Sequence, residues 1–236
     1  MIAGLVPPGV VAADAFEDHG WDGLYAEERA LVQNAVEARK QEFATVRACA
    51  RAALAGLGLP PAPVLPGRRN VPRWPKGVVG SMTHCAGYRA AAVARTREVH
   101  AIGIDAEPNL PLPDGVLESI ATAGERAWVS AAPRSGGVHW PRLLFSAKES
   151  VYKAWFPLTG TEIDFPDATI HVLAASPSGT TPEGEAAGTF TARMRFQGWT
   201  GDGRPVTRFS GRWLARKGII VTVATLPVIP ETALPK

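Results

Sequence analysis

Residues 101–108 read AIGIDAEP, an apolar run that ends in two carboxylates and stops at a proline. In an extended chain alternate side chains share a face, so Asp105 and Glu107 point one way while Ile102 and Ile104 point the other. Like charges held that close repel, and a positive partner is expected between them. Outward from this stretch lie two similar runs, GVVGSMTH (77–84) and YRAAAVAR (88–95). The links between the three are short, Cys85-Ala86-Gly87 and the charged TREV at 96–99, and the pattern predicts an antiparallel meander.

Before the meander, Phe43, Val46, Ala50, Leu54 and Leu57 recur at three- and four-residue steps, which predicts helix over 26–57. Gly56 and Gly58 end it, and the Pro-rich LPPAPVLPG that follows is a connector. PNLPLPDG (108–115) breaks the pattern again and joins two halves. Beyond it a helix is expected over 116–131, a firmer one from Pro141 to a stop at Pro157, and strands near 163–173, 188–196, 206–215 and 218–226. The expected class is α+β with two similar lobes and a cleft between them, although no repeat recurs at a fixed offset. The lobes are assigned to 1–110 and 111–236.

With 236 residues, 46% hydrophobic and 20% charged, the chain has the composition of a globular protein. A net charge of +3 weakly favours an anionic partner. Cys49 and Cys85 lack the spacing of a metal knuckle and read as reduced thiols. The opening IAGLVPPGVVAA has no basic start and carries Pro7-Pro8 where a signal helix needs apolar residues, so a cytoplasmic protein with no membrane partner is expected.

RLLFSAKESVYKAWF (142–156) carries the second half of the chemistry. On a helical wheel Leu143, Leu144, Ala147, Val151, Ala154 and Trp155 form one apolar stripe, with Lys148, Glu149, Tyr152 and Lys153 on much of the other side. Taken alone, Glu149 fits a capping box with Ser146 or an i,i+4 pair with Lys153. Taken with Asp105 and Glu107, it completes an all-oxygen site for a hard divalent cation, with lysines beside it for phosphate oxygens. That layout suits phosphoryl-type transfer. A metal-dependent nuclease uses similar acids, but places its late Glu and Lys on a strand rather than a helix. A non-catalytic binding module is the third alternative. His84 after GSMT is either a strand-end histidine or a phosphate donor beside Thr83. Arg39, Arg47 and Arg51 form a ridge on the first helix, either solvated or gripping phosphate; Arg68 and Arg69 are open to the same two readings.

The ordered set FATVRACAR, WPKGVVGSMTHCAGYRAAAVA, GIDAEP and LLFSAKESVYKAWFPLTG resembles the 4′-phosphopantetheinyl transferases, in particular the surfactin-synthetase-activating (Sfp-type) branch with its enterobactin-type and actinobacterial members. The resemblance spans roughly residues 36–160. It implies a pseudo-dimer of two α+β lobes that moves the 4′-phosphopantetheine arm of coenzyme A to a serine of an apo acyl or peptidyl carrier protein. Adenosine 3′,5′-bisphosphate is released, and the carriers belong to polyketide, nonribosomal peptide or fatty acid synthases. By the same resemblance Asp105, Glu107 and Glu149 hold Mg²⁺ (or Mn²⁺), and Glu149 is the base for the carrier serine. Lys153 stabilises or protonates the leaving phosphate. Arg39, Arg47, Arg69, Thr83, His84, Asp105, Lys148 and Lys153 contact coenzyme A. A monomer with no nucleic-acid partner is expected. Acidic carriers would dock on an apolar patch rimmed by Arg, for which Leu110, Leu112 and Leu117 are the candidates.

Overall fold

Strand β4 (Val99–Pro108), which contains AIGIDAEP, does not continue the expected meander. The computed structural model describes residues 1–18, 20–133, 137–174 and 185–228. In it β2 (Val78–Cys85) and β3 (Tyr88–Arg95) form the expected antiparallel hairpin, turning at Gly87 with φ +75°. The other edge of β3 is occupied by β1 (Val10–Ala15), so this sheet has the order β1-β3-β2. Strand β4 pairs instead with β8 (Ile219–Pro227), antiparallel, with Asp105 opposite Thr222. With β5 (Ala168–Ala174), β6 (Ala186–Trp199) and β7 (Pro205–Arg216) they make a second sheet ordered β4-β8-β7-β6-β5.

The physical reason for the difference is local ambiguity. Both β3 and β4 are buried on both faces, from Tyr88 to Ala94 and from Ala101 to Ala106. A continuous apolar run does not reveal which neighbour it will pair with. Strand β4 also precedes the lobe boundary expected at residue 110 while taking its strand partner from the far end of the chain.

The two sheets meet edge to edge through hydroxyls. Ser81 Oγ accepts the Ile104 N–H at 3.1 Å and Thr83 Oγ1 accepts the Ala106 N–H at 3.0 Å. Backbone donors on the free edge of β4 are thus satisfied by side chains of β2, as buried amides require.

The expected helix over 26–57 is two helices, α1 (Ala26–Val32) and α2 (Glu37–Gly56), and that over 116–131 is α3 (Val116–Ile120) and α4 (Ala123–Ala131). Thr122 starts α4 afresh: its hydroxyl accepts the Glu125 N–H while Glu125 Oε2 accepts the Thr122 N–H. Helix α5 (Trp140–Thr159) carries Pro141 in its first turn, as expected, but continues through Pro157 to Gly160 at φ 67°. A proline so close to the end removes one hydrogen bond and leaves the last turn standing. The predicted stripe of α5 is buried against Phe190, Phe209, Trp213 and Ile220 of the second sheet. Cys49 and Cys85 are free thiols.

Each half contains the same buried device. In the first, Glu28 accepts Arg51 from α2 at 3.0 Å and the Val64 N–H at 2.8 Å. In the second, Glu125 holds Lys148 from α5 at 3.0 Å and accepts the Ile170 N–H at 2.7 Å. Glu28 and Arg51 are 23 residues apart, and the same separation recurs between Glu125 and Lys148. This recurrence supports a fold built of two like α+β halves. Glu125→Ala would leave an ammonium and two amides buried without their acceptor. Its expected cost is about 3–5 kcal/mol, read from the urea midpoint.

Candidate active site

Gly103 sets the geometry of the site. A Cβ there would lie 1.9 Å from the Ser150 carbonyl oxygen and 2.6 Å from the Ala154 nitrogen, so β4 and α5 touch backbone to backbone. Two residues further along β4, Asp105 meets α5 directly: Lys153 Nζ donates to its Oδ1 at 2.7 Å. Lys153 therefore pairs with the strand rather than with Glu149, the i,i+4 partner weighed from the helical wheel. Asp105 is 4% exposed, and its other oxygen, Oδ2, is buried with no hydrogen-bond partner.

The other two acids surround this pair. Glu107 Oε2 accepts Arg142 Nη1 at 2.9 Å, and Arg142 also donates to the carbonyls of Leu110 and Pro111. Burial, with Asp105 adding, pushes the Glu107 carboxyl above its ordinary range, against the pull of Arg142 and Lys153. Burial and then Asp105 push Glu149 up as well, with Lys153 opposing. Glu107 and Glu149 thus each feel the charge of Asp105. Among the described residues, however, no group of three His, Cys, Asp or Glu stands ready-closed around an ion: Lys153 occupies one oxygen of Asp105 and Arg142 one of Glu107. The bare, buried Oδ2 is the feature that fits a cation, because a buried acceptor without a donor is costly and carboxylate oxygens suit hard divalent ions.

A cavity of about 590 Å³ opens beside this cluster, walled by α2, the connector, β2 and α5. Arg39, Arg47, Arg69, His84, Glu149 and Lys153 all line it, so the structure brings these expected site residues together. Arg47 is 9% exposed, stacks its guanidinium 3.2 Å from the Phe43 ring centroid, and leaves Nε buried without a partner. Burial pulls its pKa down to about 10; Glu28 offsets part of this and Arg39 and Arg51 add to it. Such a guanidinium is a ready anion ligand. Arg69 reaches Glu162 near the end of α5 at 2.6 Å. A second cavity of about 510 Å³ lies on the other side of Glu149 and Tyr152, bounded by Glu162, Ile163, Asp164 and Phe165.

Two expected phosphate contacts are engaged elsewhere. The Lys148 ammonium is buried on Glu125 and the carbonyls of Phe165 and Ala168, which uses all three of its N–H donors. Thr83 faces the seam with β4 and is 3% exposed, its hydroxyl 3.5 Å from Asp105 Oδ1. Of the docking leucines, Leu110 is 59% exposed, whereas Leu112 and Leu117 pack against the core. Arg51 belongs to the Glu28 lock rather than to the cavity. Two residues that the sequence did not single out matter here: Arg142, and Glu42, which binds His84 at 3.0 Å. The i,i+3 spacing of Arg39 and Glu42 was the only available signal for Glu42; nothing marked Arg142.

Comparison with known proteins agrees with this architecture. Residues 27–94 match the 4′-phosphopantetheinyl transferase N-terminal domain and 101–206 match the 4′-phosphopantetheinyl transferase superfamily, the two segments meeting between β3 and β4. The chain belongs to the 4′-phosphopantetheinyl transferases, in their surfactin-synthetase-activating branch, and is a transferase. It is 53% identical to the 4′-phosphopantetheinyl transferase Svp of Streptomyces mobaraensis over 237 residues, covering 99% of this chain and 92% of that protein. It is 44% identical to PptT of Mycobacterium tuberculosis, over 96% of this chain and 100% of the relative, and 44% identical to Npt of Nocardia iowensis, over 94% and 98%. Among the described residues no helix is long and apolar enough to cross a membrane.

Proposed function

We propose that this transferase moves the 4′-phosphopantetheine arm of coenzyme A to a serine hydroxyl of an apo acyl or peptidyl carrier protein in the cytoplasm and releases adenosine 3′,5′-bisphosphate. The observation that carries the proposal is Asp105, bound by Lys153 through one oxygen and bare at the other, beside a cavity walled with arginines. Arg39, Arg47, Arg69 and His84 grip the phosphates of the nucleotide. The arm lies along Tyr152, Ile163 and Phe165 in the second cavity, which puts the diphosphate beside Glu149 and Lys153. Asp105, Glu107 and Glu149 are the residues that would hold Mg²⁺, for which Mn²⁺ could stand in; such an ion would neutralise the charge of the diphosphate.

The residues divide the remaining work. Glu149 takes the proton of the carrier serine, and burial makes it a stronger base than an ordinary carboxylate. The serine oxygen forms a bond to the phosphorus that bears pantetheine, and the bond from that phosphorus to the bridging oxygen breaks. The leaving bisphosphate departs with the electron pair, and Lys153 neutralises or protonates it. Lys148 acts at one remove: locked to Glu125, it fixes the turn of α5 that carries Glu149. Thr83 likewise holds β4 beside Asp105.

Intact-mass analysis of an apo carrier protein incubated with the chain, coenzyme A and Mg²⁺ tests this. A gain of about 340 Da, the mass of the arm supplied by the co-substrate, is expected on the carrier and none on its Ser→Ala variant. An unmodified carrier alongside cleaved plasmid DNA would replace the proposal with nuclease activity.

A further inference from the structure

Glu42, on α2, closes a triangle with two residues of the basic cavity. Its Oε1 lies 3.0 Å from His84 Nδ1, Arg39 Nη1 lies 3.1 Å from His84 Nε2, and Arg39 also binds Glu42 Oε2. A guanidinium has only N–H donors, so His84 Nε2 must receive the Arg39 proton on its lone pair. The single ring proton is then on Nδ1, the nitrogen that lies 3.0 Å from the Glu42 carboxylate. The partners thus fix a neutral imidazole of one tautomer in the free protein.

We propose that Glu42 is a positioning residue that enables His84 to take up a proton when the nucleotide phosphates enter the cavity. The proposal rests on the coenzyme A reading above. A phosphate oxygen draws the Arg39 N–H away from His84 and frees the Nε2 lone pair. One proton from solvent binds there, and the new Nε2–H is donated to phosphate while Nδ1–H stays beside the Glu42 carboxylate. Free protein with neutral His84, nucleotide and one proton thus give a complex with a charged imidazolium between two anions. The groups facing the ring agree with this order of events. In the free protein burial holds His84 below its ordinary value; Glu42 on α2 opposes this, and Arg39 on α2, Lys153 on α5 and Arg89 on β3 reinforce it. Arg89 is itself held by Asp18 at 2.6 Å and stays 3.7 Å from Glu42. The free-state value is lowered and phosphate raises the bound-state value. The gain in affinity is therefore complete below the former and is lost as pH rises through the latter.

The test is calorimetric titration of the full chain with adenosine 3′,5′-bisphosphate, without metal or carrier, at pH 7 in buffers of different ionisation enthalpy. The wild type is expected to take up between about half and one proton per nucleotide. A phosphate monoester drawn into a field of arginines releases protons, so uptake has the opposite sign to the ligand's own titration. Glu42→Gln keeps the size and one side-chain oxygen beside Nδ1 but loses the charge; binding should persist with uptake at least halved. His84→Gln should bind with no uptake. Both side chains are partly exposed, so neither change threatens the fold. Binding without uptake in the wild type, or undiminished uptake in Glu42→Gln, overturns the proposal. Absence of any binding heat overturns the nucleotide reading and this proposal with it.

Discussion

Glu149→Gln should reduce the single-turnover transfer rate about a thousandfold, the scale lost when a general base is removed, while coenzyme A still binds. Gln keeps the volume and one oxygen of the side chain but cannot accept the serine proton. The same variant should fold at least as well as the wild type at neutral pH. A carboxyl held above its ordinary range by burial and Asp105 is comfortable when protonated and stabilises the fold at low pH. That contribution is lost as pH rises through its folded-state value. At pH 7 the charged Glu149 is therefore a burden on the fold, and Gln removes it. Rapid-quench transfer and urea midpoints check the two halves of the statement: a rate within tenfold of wild type removes Glu149 as the base, and a clear loss of stability removes the electrostatic account. Function held against stability in this way is common at reaction centres.

Gly103→Ala is expected to be among the most damaging single-methyl additions in the chain. The atoms in the way are backbone, the Ser150 carbonyl oxygen at 1.9 Å and the Ala154 nitrogen at 2.6 Å, and no side-chain rotation can clear them. Either α5 lifts from β4 by more than an ångström or the strand moves. Overpacking of this kind costs about 3 kcal/mol. It should also disable the folded fraction, because separation of strand and helix breaks the 2.7 Å bond between Lys153 and Asp105. Gly124→Ala on α4 is the control: nothing lies within 4 Å of its added methyl and its φ is not positive. Helix propensity alone makes it neutral or stabilising by up to about 1 kcal/mol. Equal unfolding midpoints for the two variants would show that the close approach does not hold the site together.

The contrast between Lys148 and Lys153 shows where the sequence was informative. Periodicity identified the apolar stripe of α5 with Lys153 on its other side, and alternation put Asp105 and Glu107 on one face, so the face that each of these groups occupies was legible from local pattern. Lys148 was not, because its direction depends on Glu125 in α4 and on the Phe165 and Ala168 carbonyls, which no helical wheel contains. Similarly, an all-apolar run such as β4 announces burial but not partnership, and its partner β8 begins more than one hundred residues later. Glu42 and Arg142 were silent for the opposite reason: a charged residue on a helix is unremarkable until the fold puts a histidine or a carboxylate beside it.

Anomalous diffraction from crystals of the chain with coenzyme A and Mn²⁺ tests the central claim most directly. The account expects a manganese peak within bonding distance of the now bare Oδ2 of Asp105, shared with Glu107 or Glu149 and touching the diphosphate. A peak elsewhere, with that oxygen still unpartnered while coenzyme A occupies the cavity, would contradict it.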